Sequence, residues 1–229
     1  MLRLSEKERI TRIKQGQPFS AQIDSEAFTV IIERYEPAIY TAIHHGHRVP
    51  PSLSEHLLIT ERERQYEEDP YTGDFIDVFP IRLIVHDSRY YYDLNRRPED
   101  CIYDEAWGKK VWKRSFSKEE IGKIRDRHAC YYRVLHGLVF SLEETFSRAV
   151  LYDLHSYNYS RIEGSPPLFN IGTHFIDARL YDSHLSHLLK GLDSIHLDGV
   201  ETRAVCDEVF RGRGYQAAFM SEKHPDSLC

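Results

Sequence analysis

Short apolar runs that stop abruptly on clusters of imidazole, carboxylate and guanidinium side chains constrain this chain most. The run AIYTAI at 38–43 leads into His44-His45-Gly46-His47, YYYDL at 90–94 into Asn95 and Arg96, and AVLYDL at 149–154 into His155 and Ser156. Runs of β-branched and aromatic residues four to eight long read as strands, and a buried strand ending in a polar loop is where an open α/β sheet gathers binding residues. A fourth cluster, Glu67-Glu68-Asp69, lies in the acidic segment ERERQYEEDPYTGD.

Further strands are expected at 27–33, 81–87 and 168–173. Helices are expected at 5–15, 52–59, 118–146, 176–190 and 201–209. In the longest, Ile121, Ile124, Tyr132, Leu135, Leu138 and Leu142 recur at three- and four-residue steps. Ser117 followed by Glu120 predicts a capping box at its start. Residues 101–117 hold both tryptophans without a clear period and read as an ordered loop. Strands alternating with helices predict an α/β fold, a three-layer α/β/α sandwich with a mixed, mostly parallel sheet. The chain has 229 residues, no internal repeat and no long linker, so a single domain over 1–229 is expected.

Several function classes are disfavoured. A net charge of −6 argues against nucleic acid or an anionic membrane surface as partner. No apolar run reaches the eighteen residues a membrane helix needs. The first residues, MLRLSEKERITRIKQGQPF, lack the apolar core of a secretory signal. Cys101, Cys130, Cys206 and Cys229 are scattered, as reduced thiols of a cytoplasmic protein would be. The clusters themselves supply the inventory of a catalytic zinc site with an open position, plus an anchor for a substrate carboxylate. Taken singly, each also fits a solvated loop or a surface ion pair. In Asp153-Leu154-His155 the carboxylate lies two positions before the imidazole. On a strand both then face one way, and Asp153 can orient a ligating His155.

The motifs AIHHGHRVPPSL, EEDPYTGDFI, DSRYYYDLNRRPED, WGKKVW, YYRVLHGL, VLYDLHSY, FNIGT and FRGRGY, in this order, resemble those of the N-formylglutamate amidohydrolases. The resemblance runs from about Ala38 to Tyr215, and DSRYYYDLNRRPED is its most specific part. It implies a fold similar to zinc carboxypeptidases and aspartoacylase, and hydrolysis of the amide of a small N-acyl amino acid such as N-formyl-L-glutamate. It implies one zinc ion held by His44, by Asp69 in preference to Glu68, and by His155. Asn95 and Arg96 are implied as the grip on the substrate's α-carboxylate, with Arg89 binding a second carboxylate or ordering the site. His136, in YYRVLHGL, is a motif position and a catalytic candidate. Where the family usually has HSG, this chain has HHG. The family's late strand with a general-base Glu has no match in GYQAAFMSEKHPDSLC, so a domain truncated at its C-terminus is expected; Glu201 and Glu208 are the nearest substitutes. Two other readings stay open: a related zinc carboxypeptidase or peptide amidase, and an inactive metal- or ligand-binding domain lacking the base.

Overall fold

Residues 28–32, FTVII, are apolar at nearly every position and are buried on both sheet faces, whereas FSAQI at 19–23 alternates buried with half-buried. The first is the pattern of a central strand and the second that of a strand covered on one face. The structure, a computed structural model, describes residues 2–23 and 27–229. Through Tyr157 it forms one compact unit. Its elements are β1 (Leu2–Arg3), α1 (Glu6–Lys14), β2 (Phe19–Ile23), β3 (Phe28–Ile32), β4 (Ala38–Ala42), α2 (Pro51–Ser54), α3 (Glu61–Glu67), α4 (Thr72–Phe75), β5 (Ile81–Val85), β6 (Glu105–Ala106), β7 (Lys109–Lys110), α5 (Lys118–Phe146) and β8 (Val150–Asp153).

The sheet order is β1-β2-β3-β5-β4-β8. β2–β3 and β3–β5 are antiparallel, while β1–β2, β5–β4 and β4–β8 are parallel. The expected mixed sheet flanked by helices is therefore present. β4 lies between β5 and β8 and parallel to both, so the carboxyl ends of these three strands share one edge. Helix α5 covers its predicted span. Ser117 and Glu120 form the expected box, with Ser117 N 2.8 Å from Glu120 Oε2 and Glu120 N 3.2 Å from Ser117 Oγ. It buries Ile124, Tyr131, Leu135, Leu138 and Leu142. Each buried aliphatic side chain contributes roughly 1.5–3 kcal/mol relative to exposure.

Two expectations fail. Residues 90–94 form turns rather than a strand. Ser88 redirects the chain there, its carbonyl accepting from Tyr91 N at 2.9 Å and its hydroxyl from Tyr90 N at 3.1 Å. The tyrosines are buried by ring packing, not by ladder pairing. Residues 201–209 form no helix. Ala204–Cys206 is a strand paired in parallel with Phe169–Ile171. It stops at Asp207, whose φ is +59° and whose carboxylate accepts Thr173 N at 2.9 Å. The loop at 101–117 holds the small hairpin β6–β7, and 52–59 keeps only the four-residue α2.

Residues Asn158–Cys229 form the second unit. It contains β9 (Phe169–Ile171), α6 (Ala178–Asp193), β10 (Ala204–Cys206) and α7 (Tyr215–Lys223). Gly172 and Gly212 touch backbone to backbone: a Cβ on Gly172 would lie 2.3 Å from Gly212 N. Among the described residues no helix is long and apolar enough to cross a membrane.

Candidate metal centre

The shared strand edge brings the first and last clusters together. His44 follows β4 by two residues and His155 follows β8 by two. Gly46 lets the loop between them and β5 close up, because a Cβ there would lie 2.1 Å from the His86 carbonyl carbon. The loop is then fastened by Arg48 N to His86 O at 3.0 Å and Ser88 N to Arg48 O at 2.9 Å. Asp69 comes from the end of α3. Thr60 starts that helix with a capping box, its Oγ1 3.3 Å from Glu63 N. Asp69 N then donates to His44 O at 2.9 Å, tying the acidic loop to the histidine loop.

The side chains converge on one oxygen. Asp69 Oδ2 is 3.3 Å from His44 Nδ1 and 2.9 Å from His155 Nδ1, and Asp69 Oδ1 accepts Ser156 Oγ at 3.0 Å. One potential ligand atom from each of His44, Asp69 and His155 lies within 4.8 Å of the others. The ring centroids of the two histidines are 4.9 Å apart. Both rings are held from behind in the same way. His44 Nε2 lies 2.7 Å from Asp93 Oδ1, and His155 Nε2 lies 3.1 Å from Asp153 Oδ2. Thr41 Oγ1 donates to the other oxygen of Asp153 at 3.0 Å. A carboxylate on the far nitrogen fixes the tautomer and aims the near nitrogen's lone pair, as in carboxylate–histidine–metal arrangements.

His44 is 1% exposed, and its Nδ1 is buried without a hydrogen bond. With the Nε2 proton directed to Asp93, Nδ1 presents a lone pair to a carboxylate oxygen 3.3 Å away. Two electron-rich atoms so placed call for a cation, and two imidazoles with one carboxylate make a zinc donor set. The residues present therefore fit a divalent ion.

The electrostatics agree. Burial opposes ionisation of Asp69, but the His155 imidazole outweighs it and holds the carboxyl well below its ordinary range. Asp93 is also held well below, burial being overcome by His44 and Arg89. The His155 side chain is 33% exposed; the protein packed around it disfavours the charged ring, yet Asp153 and then Asp69 raise its pKa to about 10. Glu68 points elsewhere. Its Oε1 accepts from Ser88 Oγ, its Oε2 lies 3.4 Å from His47 Nδ1, and burial pushes its carboxyl up.

The DLNR segment wraps around Asp93. Asp93 Oδ1 accepts Asn95 N at 2.7 Å; Asp93 Oδ2 accepts Arg89 Nη2 at 3.0 Å and the Tyr103 hydroxyl. Arg89 Nη1 also donates to Glu67 O at 3.0 Å. Asn95 Oδ1 is buried without a partner, and the exposed Arg96 guanidinium lies 4.8 Å over the Tyr103 ring. Both terminal nitrogens of Arg89 are thus engaged, while Asn95 Oδ1 has no hydrogen-bond partner among the described residues. His136 stands outside the three-residue group, exposed on α5 with its ring 6.4 Å from Phe140.

Sequence reasoning missed what supports this segment. One face of α5 reaches its carbonyls: Arg125 Nε to Pro98 O at 3.0 Å, His128 Nε2 to Arg96 O at 2.9 Å, and the Tyr132 hydroxyl to Leu94 O. The signal was polar residues at three- and four-residue spacing within an apolar stripe. Asp93 was visible as a strand-end carboxylate, but its place behind His44 was not.

The family model of the N-formylglutamate amidohydrolases matches residues 36–226. The chain belongs to this family. Among solved structures, it is similar to the N-formylglutamate amidohydrolase of Ralstonia eutropha JMP134, with a TM-score of 0.66 and 16% identity, over 88% of this chain and 83% of that one. A gene product of Agrobacterium tumefaciens is similar with a TM-score of 0.59 and 16% identity, over 84% and 76%. At that identity these two likenesses establish a shared fold, while the amidohydrolase assignment rests on the family model. No match is found among the curated proteins.

Proposed function

We propose that this chain hydrolyses the amide bond of a small N-acyl amino acid such as N-formyl-L-glutamate, releasing formate and glutamate, with one zinc ion held by His44, Asp69 and His155. The observation that carries the reading is the buried, unpartnered His44 Nδ1 facing Asp69 Oδ2. A zinc ion in this position supplies Lewis-acid chemistry, polarising the amide carbonyl and activating water. Asp93 and Asp153 keep the two rings aimed. Arg96 can grip an α-carboxylate with two parallel N–H donors, and the unpartnered Asn95 Oδ1 can accept from the substrate's N–H. Such an anchor holds the scissile amide at a fixed offset from His44. Arg89, paired with Asp93, keeps that carboxylate ionised.

The test is zinc stoichiometry together with formate release from N-formyl-L-glutamate by the zinc-loaded chain. One zinc per chain and catalytic formate release are expected. Zinc binding without formate release would refute the substrate and leave a metal-binding domain or a related peptidase. No zinc binding would refute the centre.

A further inference from the structure

Tyr103 touches both halves of the site. Its ring lies under the Arg96 guanidinium, 4.8 Å from centroid to Cζ. Its hydroxyl donates to Asp93 Oδ2, while Asp93 Oδ1 holds His44 Nε2 at 2.7 Å. Asp93 N donates to Cys101 O at 2.7 Å, and this contact folds the 93–103 loop back so that one phenol reaches both partners. Tyr103 is buried. Burial first, then the Asp93 charge, pushes its phenol up to about 12, so it stays a donor near neutral pH.

The ring is itself held in place. Tyr90 and Trp107 lie 6.1 and 5.7 Å from it, and 5.6 Å from each other. Trp107 is at the tip of the β6–β7 hairpin with φ +50°, followed by Gly108 at φ +74°. A two-residue hairpin turn needs such angles, and a bulky side chain is an unfavourable choice there. Trp107 carries the Arg89 guanidinium 4.9 Å from its ring. Two neighbouring rings thus hold two neighbouring guanidiniums.

We infer that Tyr103 is a positioning residue that couples the carboxylate anchor to the metal ligand, holding Arg96 through its ring and His44 through Asp93. The inference rests on the proposed roles of Arg96 and His44. Stacking restricts a long, exposed side chain that has no ion pair among the described residues, so less freedom is lost when substrate binds. The hydroxyl restricts the carboxylate that aims the imidazole.

Full-length Tyr103→Phe and Tyr103→Leu separate the two couplings. Zinc affinity is read by competition with a chromophoric chelator, kcat and KM are read on N-formyl-L-glutamate, and far-UV circular dichroism checks folding. Tyr103→Phe keeps the ring: zinc affinity falls about tenfold, the low end for such supporting groups, kcat falls, and KM stays within about twofold. Tyr103→Leu also loses the stacking, and KM rises about fivefold further. Wild-type zinc affinity in a folded Tyr103→Phe overturns the coupling to His44, and equal KM in the two variants overturns the coupling to Arg96. If wild type binds zinc but releases no formate, the substrate reading and the coupling to Arg96 fail with it, while the zinc affinity of Tyr103→Phe still decides the coupling to His44. If wild type binds no zinc, the metal reading fails and takes this inference with it.

Discussion

Asp93→Asn isolates what one buried carboxylate does for this site. Asp93 is 1% exposed and accepts from two donors on each oxygen: His44 and Asn95 on one, Arg89 and Tyr103 on the other. Asparagine keeps the shape, but whichever oxygen becomes the amide NH2, two donors then face a donor. The charge opposite Arg89 is also lost, and removing one partner of a buried pair costs about 3–5 kcal/mol. Arg89 retains some solvent contact, its side chain being 15% exposed, so the low end, about 3 kcal/mol, is expected for the metal-free chain. Zinc affinity should fall about 10–100-fold as His44 loses its aim, which is about 1.4–2.8 kcal/mol. The two effects separate in urea unfolding done once with a chelator and once at a buffered free zinc concentration, because zinc stabilises according to its affinity for the folded chain. Asp93→Asn should lower the chelated curve and shrink the zinc increment. An unchanged increment refutes the claim that Asp93 aims His44, and an unchanged chelated curve refutes the buried-pair argument.

His155→Ala should abolish stoichiometric zinc binding, read by elemental analysis after dialysis; full occupancy removes His155 from the ligand set. Arg96→Lys should raise KM about tenfold with zinc content unchanged, because an ammonium cannot form the paired N–H contacts of a guanidinium. Glu120 is drawn from its ordinary 4.5 to about 2 by Arg114 and then by the Ser117 backbone N–H. Its stabilising effect is complete above the unfolded value and is lost as pH falls towards 2. The Tm difference between wild type and Glu120→Gln should therefore shrink between pH 5 and about 2; a pH-independent difference refutes the assignment. Zinc or cobalt should raise Tm where magnesium at the same concentration does not, since two nitrogen donors suit the former and all-oxygen sites the latter.

Local pattern was enough for the elements with strong periods or caps. The 118–146 helix was legible because its stripe and its Ser117–Glu120 box agree. β4, β5 and β8 were legible because they consist largely of strand formers, and β5 is also buried at nearly every position. The YYYDL segment misled because aromatic and β-prone residues also serve a buried turn, and nothing local distinguishes ladder pairing from ring packing. ETRAVCDEV misled for the converse reason: a three-residue strand is decided by its partner, Phe169–Ile171. In the site, the strand-end clusters pointed to one crevice, the motif resemblance singled out His44, Asp69 and His155, and the two-residue spacing set Asp153 beside His155. Asp69 was preferred to Glu68 on the motif resemblance alone, and in the fold Asp69 faces the two imidazoles while Glu68 turns to Ser88 and His47. Asp93 and Tyr103 act through contacts between distant segments, which no spacing in the chain encodes.

The charges around the two imidazoles support the proposed ion. Asp69, Asp93 and Asp153 are linked through His44 and His155, and Arg89 is the guanidinium paired into that set. With neutral rings, three carboxylates against one guanidinium leave two negative charges, and His44, Asp69 and Asp93 are almost fully buried. Uncompensated buried charge is costly, and a group in that situation takes up a proton or a counter-ion. Asp153 and Asp69 raise the His155 pKa, which favours a charged ring between them. A proton there offsets one charge and leaves the His44 lone pair unanswered. A divalent cation would offset both charges and use the lone pair, which supports the proposed zinc over protonation alone.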